Sequence, residues 1–147
     1  MFNIKTIFTP NYERYEGVRS INIYLLRLFY FLMAFFVATD SWTEIITHEG
    51  PWDRFRAMSF CVWTAYTTLA VFGLFHPLRW LPIMIFMIFY KSLWLIIVAY
   101  PLWRANEFAG SPAAAMTQAF LGVPIAMIAV PWKYVFENYI YKPKKHI

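Results

Sequence analysis

The chain has 147 residues, of which 61% are hydrophobic and 14% are charged. A soluble domain of this length does not need so much apolar sequence, so the composition excludes an ordinary soluble fold and predicts an integral membrane protein. The net charge of +5 comes without a basic groove or a nucleic-acid-binding motif, which argues against nucleic acid as a partner. Four apolar segments of roughly 18 to 27 residues account for most of the chain, and they predict one domain over residues 1–147, an all-α transmembrane bundle of four helices.

Residues 1–18 are mixed in polarity and precede the first apolar segment. We expect them to form a short interfacial segment whose apolar side chains lie in the headgroup layer. Glu13 and Glu16 come before the apolar run and Arg27 interrupts it, so a cleaved signal peptide is not predicted.

The first helix is predicted over residues 20–41, and Arg27 is its unusual residue. At ~1.5 Å rise per residue, Arg27 lies only about 5 Å on the N-terminal side of mid-span. Tyr24 and Tyr30 are three residues away on either side and share its face. Two interpretations stand: the Arg27 side chain snorkels to the headgroups, or it faces the same interior pocket as Lys91.

Residues 42–56 are predicted to form a loop that, with Asp40 before it, concentrates acidic side chains on one side of the membrane. Asp40 and Glu44 are spaced i, i+4, so a continuing helix would place both carboxylates on one face. Together with His48 they form a candidate metal constellation that matches no specific ligand signature. The alternative is a set of solvated loop acids that bind no metal.

The second helix is predicted over residues 57–75 and has one polar side. Tyr66 and Thr67 belong to this side, and Tyr66 lies near mid-span at the level of Lys91. A polar stripe on a membrane helix faces other helices rather than lipid. The single cysteine, Cys61, excludes a disulfide within the chain, and we interpret it as a buried structural thiol.

Lys91 lies near the middle of the third helix, which is predicted over residues 80–100. Trp80 and Trp103 mark the two membrane interfaces, and Pro101 is expected to stop the helix. From mid-span the interface is roughly 15 Å away, beyond the reach of a lysine side chain. A charge at that depth costs several kcal/mol, so Lys91 should face the interior of the bundle.

The fourth helix is predicted over residues 112–139, with Ser111 and Pro112 as its start. Pro124 and Pro131 each remove a backbone donor and should bend the helix. Small residues recur at helical spacing and would allow close contact with a neighbouring backbone: Ala115, Ala119, Gly122, Ala126 and Ala129.

The distribution of lysine and arginine predicts the orientation of the bundle. With the N-terminus inside, eight basic residues near the spans are cytoplasmic and three are outside. Both termini are therefore predicted to be cytoplasmic (N-in/C-in), in a multi-pass protein of the cytoplasmic membrane, which is the inner membrane if the source is bacterial. The eight inside residues are Lys5, Arg14, Arg19, Arg79, Lys133, Lys142, Lys144 and Lys145.

The plan of four helices, with Asp40 at the end of the first and a lysine-rich tail, resembles small four-span families such as the DoxX-like and EXPERA (sigma-2-type) membrane proteins. The second predicted helix has no counterpart of the membrane glutamate expected of EXPERA proteins. The resemblance therefore assigns no functional residue to this chain.

Two functions are considered for the cations within the spans, which have no deep carboxylate at their level. In the first, a non-enzymatic protein holds an amphipathic anionic ligand or a membrane lipid in an intramembrane pocket formed by Lys91, Arg27, Tyr30, Tyr66 and Thr67. In the second, the protein is an accessory subunit of a membrane complex, and an acidic residue of a partner compensates Lys91 and Arg27. Self-association and a neutral Lys91 hydrogen-bonded to Tyr66 or Tyr30 are further alternatives.

An enzyme is the less favoured hypothesis, because the sequence has no visible nucleophile–base pair and no Gly-rich phosphate loop. The three histidines fall outside the predicted helices, where they could not serve a membrane-embedded haem. No cofactor is therefore expected.

Overall fold

The computed structural model describes residues 7–141. It is all-helical, with 78% of residues in helices, and four of these helices are long and apolar enough to cross a membrane. They are α2 (Ser20–Thr47), α3 (Arg54–Phe75), α4 (Leu81–Arg104) and a fourth, broken span (Pro112–Ala129). The lysine-rich tail, with Lys142, Lys144 and Lys145, lies outside the described residues.

The N-terminal part of the described chain forms a small antiparallel pair around one helical turn. Strands β1 (Pro10–Asn11) and β2 (Val18–Arg19) pair through Pro10 with Arg19 and Asn11 with Val18, and they flank α1 (Tyr12–Tyr15). The Asn11 side chain caps α1 by accepting a hydrogen bond of 3.0 Å from the Arg14 amide. Gly17, at φ 84°, turns the chain back toward β2.

Helix α2 is longer than predicted. It is α-helical over Ser20–Leu32, passes through π-helical turns at Met33–Val37 and continues over Ala38–Thr47. The prediction that a loop begins at residue 42 is therefore wrong, because no helix-breaking residue occurs before Gly50. Asp40 and Glu44 consequently lie one turn apart on a continuous helix.

Helix α3 begins three residues earlier than predicted, because Asp53 caps it. The Asp53 carboxylate accepts hydrogen bonds from the backbone amides of Phe55, at 3.1 Å, and Arg56, at 2.9 Å. The helix ends at Phe75, before His76 and Pro77, as expected. Cys61, which we interpreted as buried, is exposed on the outer side of this helix.

Helix α4 does not stop at Pro101, so that prediction is wrong. Residues Leu95–Ala99 form π-helical turns, and Pro101 lies in the first turn of the α-helical segment Tyr100–Arg104 that follows. The π-helical turns change the hydrogen-bond register just before Pro101. The helix can therefore continue through the proline although proline has no N–H to donate.

The predicted fourth helix, residues 112–139, is divided into three pieces. Helix α5 (Pro112–Phe120) meets α6 (Val123–Ala129) at a turn, and α7 covers residues 132–141. Val130 is extended, with φ −69° and ψ 124°, because the residue before a proline is disfavoured in the helical conformation. The two breaks occur beside Pro124 and Pro131, where only bends were predicted.

The bundle is held together by buried side chains from all four spans, while many large apolar side chains point outward. Tyr30 of α2 is fully buried against Gly73 of α3. The outward-facing set includes Phe36, Phe89 and Ile128, which are 61%, 64% and 73% exposed.

Candidate functional site

A cavity of about 850 Å³ opens at the end of the bundle where the N-terminal segment, the start of α2, the link between α3 and α4, and α7 meet. Its buried wall includes Ile23 and Pro77, and its exposed edge includes Arg14 and Arg79. This combination of an apolar base and a charged edge is typical of a site for an amphipathic molecule.

The cavity is strongly basic. Its lining within residues 7–141 includes three arginines, one carboxylate and one imidazole: Arg14, Arg27, Arg79, Glu16 and His76. Arginine keeps its charge in proteins and offers five donors in a planar fork. The three guanidinium groups therefore outnumber the negative charge of the lining residues at neutral pH.

Arg27 is half-buried, and its Nε atom is buried without a hydrogen-bond partner among residues 7–141. Leaving a buried donor unsatisfied costs about 1–3 kcal/mol. Arg27 lines the cavity, whereas its buried Nε atom is enclosed by protein atoms, so a bound molecule would contact the rest of the guanidinium group.

Tyrosine side chains hold the cavity's walls together. The Tyr30 hydroxyl donates to the Pro77 carbonyl at 3.2 Å, and the Tyr139 hydroxyl donates to the Leu78 carbonyl at 2.8 Å. These bonds attach α2 and α7 to the short link between α3 and α4. The link therefore stays in place, with Arg79 at the edge of the cavity.

The N-terminal segment is attached to the same cavity through Tyr134. The Tyr134 hydroxyl donates to the Glu16 carboxylate at 3.4 Å. Burial, followed by the negative charge of Glu16, raises the pKa of Tyr134 to about 12, and the same two causes raise the pKa of Tyr139. Both hydroxyls therefore remain neutral donors at physiological pH.

The other predicted site residues lie near the middle of the bundle. The Tyr66 and Tyr90 hydroxyls form a hydrogen bond of 2.9 Å, and the Thr67 hydroxyl donates to the Trp63 carbonyl at 2.6 Å. Lys91 is half-buried, with its ammonium 4.7 Å from the centre of the Phe120 ring. Within residues 7–141, Lys91 forms no ion pair and no hydrogen bond to a tyrosine.

The residues that were predicted to share one pocket therefore lie in two separate regions of the bundle. Tyr30 touches Gly73, which follows Tyr66 by seven residues, or about 10 Å along α3. Arg27 and Tyr30 belong to the end of the bundle that holds the cavity, and Tyr66, Thr67 and Lys91 belong to its middle.

Several residues of the cavity were not predicted as site residues: Arg14, Glu16, His76, Arg79, Tyr134 and Tyr139. The charge distribution assigned Arg14 and Arg79 to the same side of the membrane as the start of α2. Nothing in their spacing indicates that they meet, because Arg14 and Arg79 are 65 residues apart in the sequence and belong to different polar segments.

The alternative metal constellation forms an ion-pair cluster instead. The Glu44 carboxylate is 2.6 Å from Nη2 of Arg56 and 3.6 Å from Nδ1 of His48, whose ring stacks on Trp52 with 3.6 Å between centroids. Asp40 is exposed. No group of three potential metal ligands occurs within residues 7–141.

No family model, no curated protein and no solved structure matches the chain. Chemically, the cavity can bind an anion through guanidinium groups, with Arg27 as the deepest cation and Arg14 and Arg79 near the opening.

Proposed function

We propose that the chain is a multi-pass membrane protein with both termini in the cytoplasm (N-in/C-in). Four helices of sufficient length and hydropathy support insertion, as do the large apolar side chains on the outer surface. The excess of lysine and arginine on the N-terminal side supports the orientation.

The orientation is tested by labelling with an impermeant maleimide in a Cys61→Ala background. Cysteine at Glu49, in the short link before α3, is expected to label from outside in intact cells. Cysteine at Lys144 is expected to label only after the membrane is opened. The opposite pattern would refute the N-in/C-in orientation.

We further propose that this protein is a non-enzymatic binding protein for an anionic membrane lipid. The observation that supports this most directly is the presence of three arginines, Arg14, Arg27 and Arg79, and a single carboxylate among the described residues that line the cavity. A lipid headgroup that enters the cavity would accept hydrogen bonds from these guanidinium groups and compensate the excess positive charge.

The position of the cavity supports a lipid rather than a fully soluble anion. The cavity lies beside the ends of apolar helices, and Phe75 of its lining is 69% exposed on their outer surface. A headgroup in the cavity could therefore remain attached to chains that lie along the apolar exterior of the bundle.

Native mass spectrometry of protein purified in mild detergent tests this function. The wild-type protein is expected to retain anionic lipid, and Arg27→Gln should lose most of it. Arg19→Gln is the matched control, since Arg19 is exposed on the same side of the bundle and does not line the cavity. Equal loss in both variants would indicate general electrostatic attraction and would refute a specific site, provided that both variants melt like the wild type.

The second candidate function, an accessory subunit, rests on Lys91. This cation lies in the middle of an apolar helix, is half-buried, and forms no ion pair within residues 7–141. An acidic residue from a partner helix would compensate it. Co-purification of a stoichiometric membrane partner that Lys91→Met releases would support this function, whereas a partner retained by the variant would refute it.

A further inference from the structure

The charged residues that line the cavity indicate how much negative charge its ligand carries. Among the described residues that line the cavity, three arginines and one glutamate give an excess of two positive charges. A monoanionic headgroup would neutralise only one of them. A dianion would neutralise both, and charge complementarity in a partly buried site favours the ligand that leaves the least charge unpaired.

The available donors favour a phosphate with several free oxygens. Each guanidinium can bind two oxygens of one phosphate in a fork-like arrangement. The hydroxyls of Tyr134 and Tyr139 already donate to Glu16 and to the Leu78 carbonyl, so the arginines supply most of the remaining N–H donors among the described lining residues. A phosphate monoester presents three terminal oxygens, whereas a phosphodiester presents two.

We propose that the cavity selects a phosphate monoester, carried by a lipid such as phosphatidic acid, over phosphodiester lipids. This inference rests on the proposed lipid-binding function and specifies its ligand. Arg27 binds the phosphate at the base of the cavity, and Arg79, which is exposed at its edge, contributes the charge that distinguishes a dianion from a monoanion. A phosphodiester needs only the first of these two contacts.

The test is a competition between two lipids with identical acyl chains. Delipidated protein is mixed at neutral pH with equimolar phosphatidic acid and phosphatidylglycerol, and the bound species are counted by native mass spectrometry. Because phosphatidic acid forms one additional charge-assisted contact, with Arg79, we expect it to bind about tenfold more tightly than phosphatidylglycerol. Arg79→Gln should abolish most of that preference while phosphatidylglycerol still binds, and Arg19→Gln should keep the preference.

The outcomes separate this inference from the function on which it rests. If both lipids bind equally and Arg27→Gln loses both, lipid binding stands and phosphate-monoester selectivity is refuted. If Arg27→Gln retains both lipids as well as the wild type does, both proposals are refuted. A preference that persists unchanged in Arg79→Gln would also refute the selectivity mechanism, since it would arise elsewhere in the molecule.

A soluble ester distinguishes the lipid from its headgroup. Glycerol 3-phosphate is added as a competitor against bound phosphatidic acid, with glycerol as the uncharged control. Displacement only at a large excess supports a lipid ligand, because the acyl chains then contribute to affinity. Displacement at equal concentration would refute the lipid as carrier and leave a soluble phosphate monoester as the ligand. A thermal melt of each variant confirms that the loss of binding does not reflect unfolding.

Discussion

Gly73 is the position where one methyl group should most clearly disturb the bundle. A Cβ at this residue would lie 2.5 Å from Cδ1 and Cε1 of Tyr30, whose ring is fully buried. Such overpacking costs about 1–3 kcal/mol, and displacement of the ring would also weaken the Tyr30 bond to Pro77, at about 1 kcal/mol. Alanine returns about 1 kcal/mol in helix propensity. We therefore expect Gly73→Ala to destabilise the protein by about 2 kcal/mol.

Thermal unfolding in detergent, followed by tryptophan fluorescence, measures this effect. A loss of about 2 kcal/mol corresponds to a melting temperature lower by about 4–8 °C for a chain of this length. Gly122→Ala is the control, because the nearest atom to its Cβ, in Phe29, would be 3.7 Å away. In a Tyr30→Leu background, which lacks the ring, Gly73→Ala should be neutral or stabilising. If Gly73→Ala lowered the melting temperature equally in both backgrounds, the ring contact would not be the cause.

Three further predictions concern other parts of the bundle. Gly122→Leu should lower the melting temperature more than Leu121→Ala, because Leu121 is 67% exposed whereas the added atoms of a leucine at 122 extend beyond a Cβ that already contacts Phe29 at 3.7 Å. Equal melting would mean that Gly122 faces lipid. Lys91→Met should melt at or above the wild-type temperature, because methionine keeps the length of the side chain and removes the cost of burying a charge. Burial raises the pKa of Tyr134 to about 12, so the stability it contributes is complete below its ordinary pKa of about 10 and is lost as the pH rises toward 12. The melting temperature should therefore fall more steeply over that interval in the wild type than in Tyr134→Phe.

The four spans could be predicted because a long, nearly uninterrupted apolar segment is a strong signal for a membrane-spanning helix. The residues at which these helices begin and end depend on local hydrogen bonding instead. Asp53 adds a turn to the start of α3 through its side-chain cap, and π-helical turns allow α4 to continue through Pro101. Neither effect follows from hydropathy. Helix α2 likewise continues to Thr47 because no helix-breaking residue occurs before Gly50. The polar composition of residues 42–47 had instead indicated a loop.

The candidate site could be predicted only in part, for a different reason. Arg27 is conspicuous because it interrupts an apolar helix. Arg14, Arg79 and Tyr134 are ordinary residues of segments outside the spans, and they line the same cavity only because the folded chain brings these three segments to one end of the bundle. Such long-range convergence leaves no periodic pattern in the sequence.

Arg27 and Lys91 were predicted to share one pocket, and their separation can be tested by a double variant. The Lys91 ammonium lies over the Phe120 ring at mid-span, whereas Arg27 lines the cavity near the end of α3. A cation–π contact provides about 0.5–2 kcal/mol to a cation within about 6 Å of the ring, and Arg27 lies at another level of the bundle. Substitutions this far apart, with no shared partner, usually add within about 0.5 kcal/mol. The effects of Arg27→Gln and Lys91→Met on phosphatidic acid affinity, measured by titration into detergent, should therefore be additive. Loss of affinity in Lys91→Met alone, or coupling well above that limit, would mean that one ligand contacts both cations, and the single intramembrane pocket predicted from the sequence would replace the cavity.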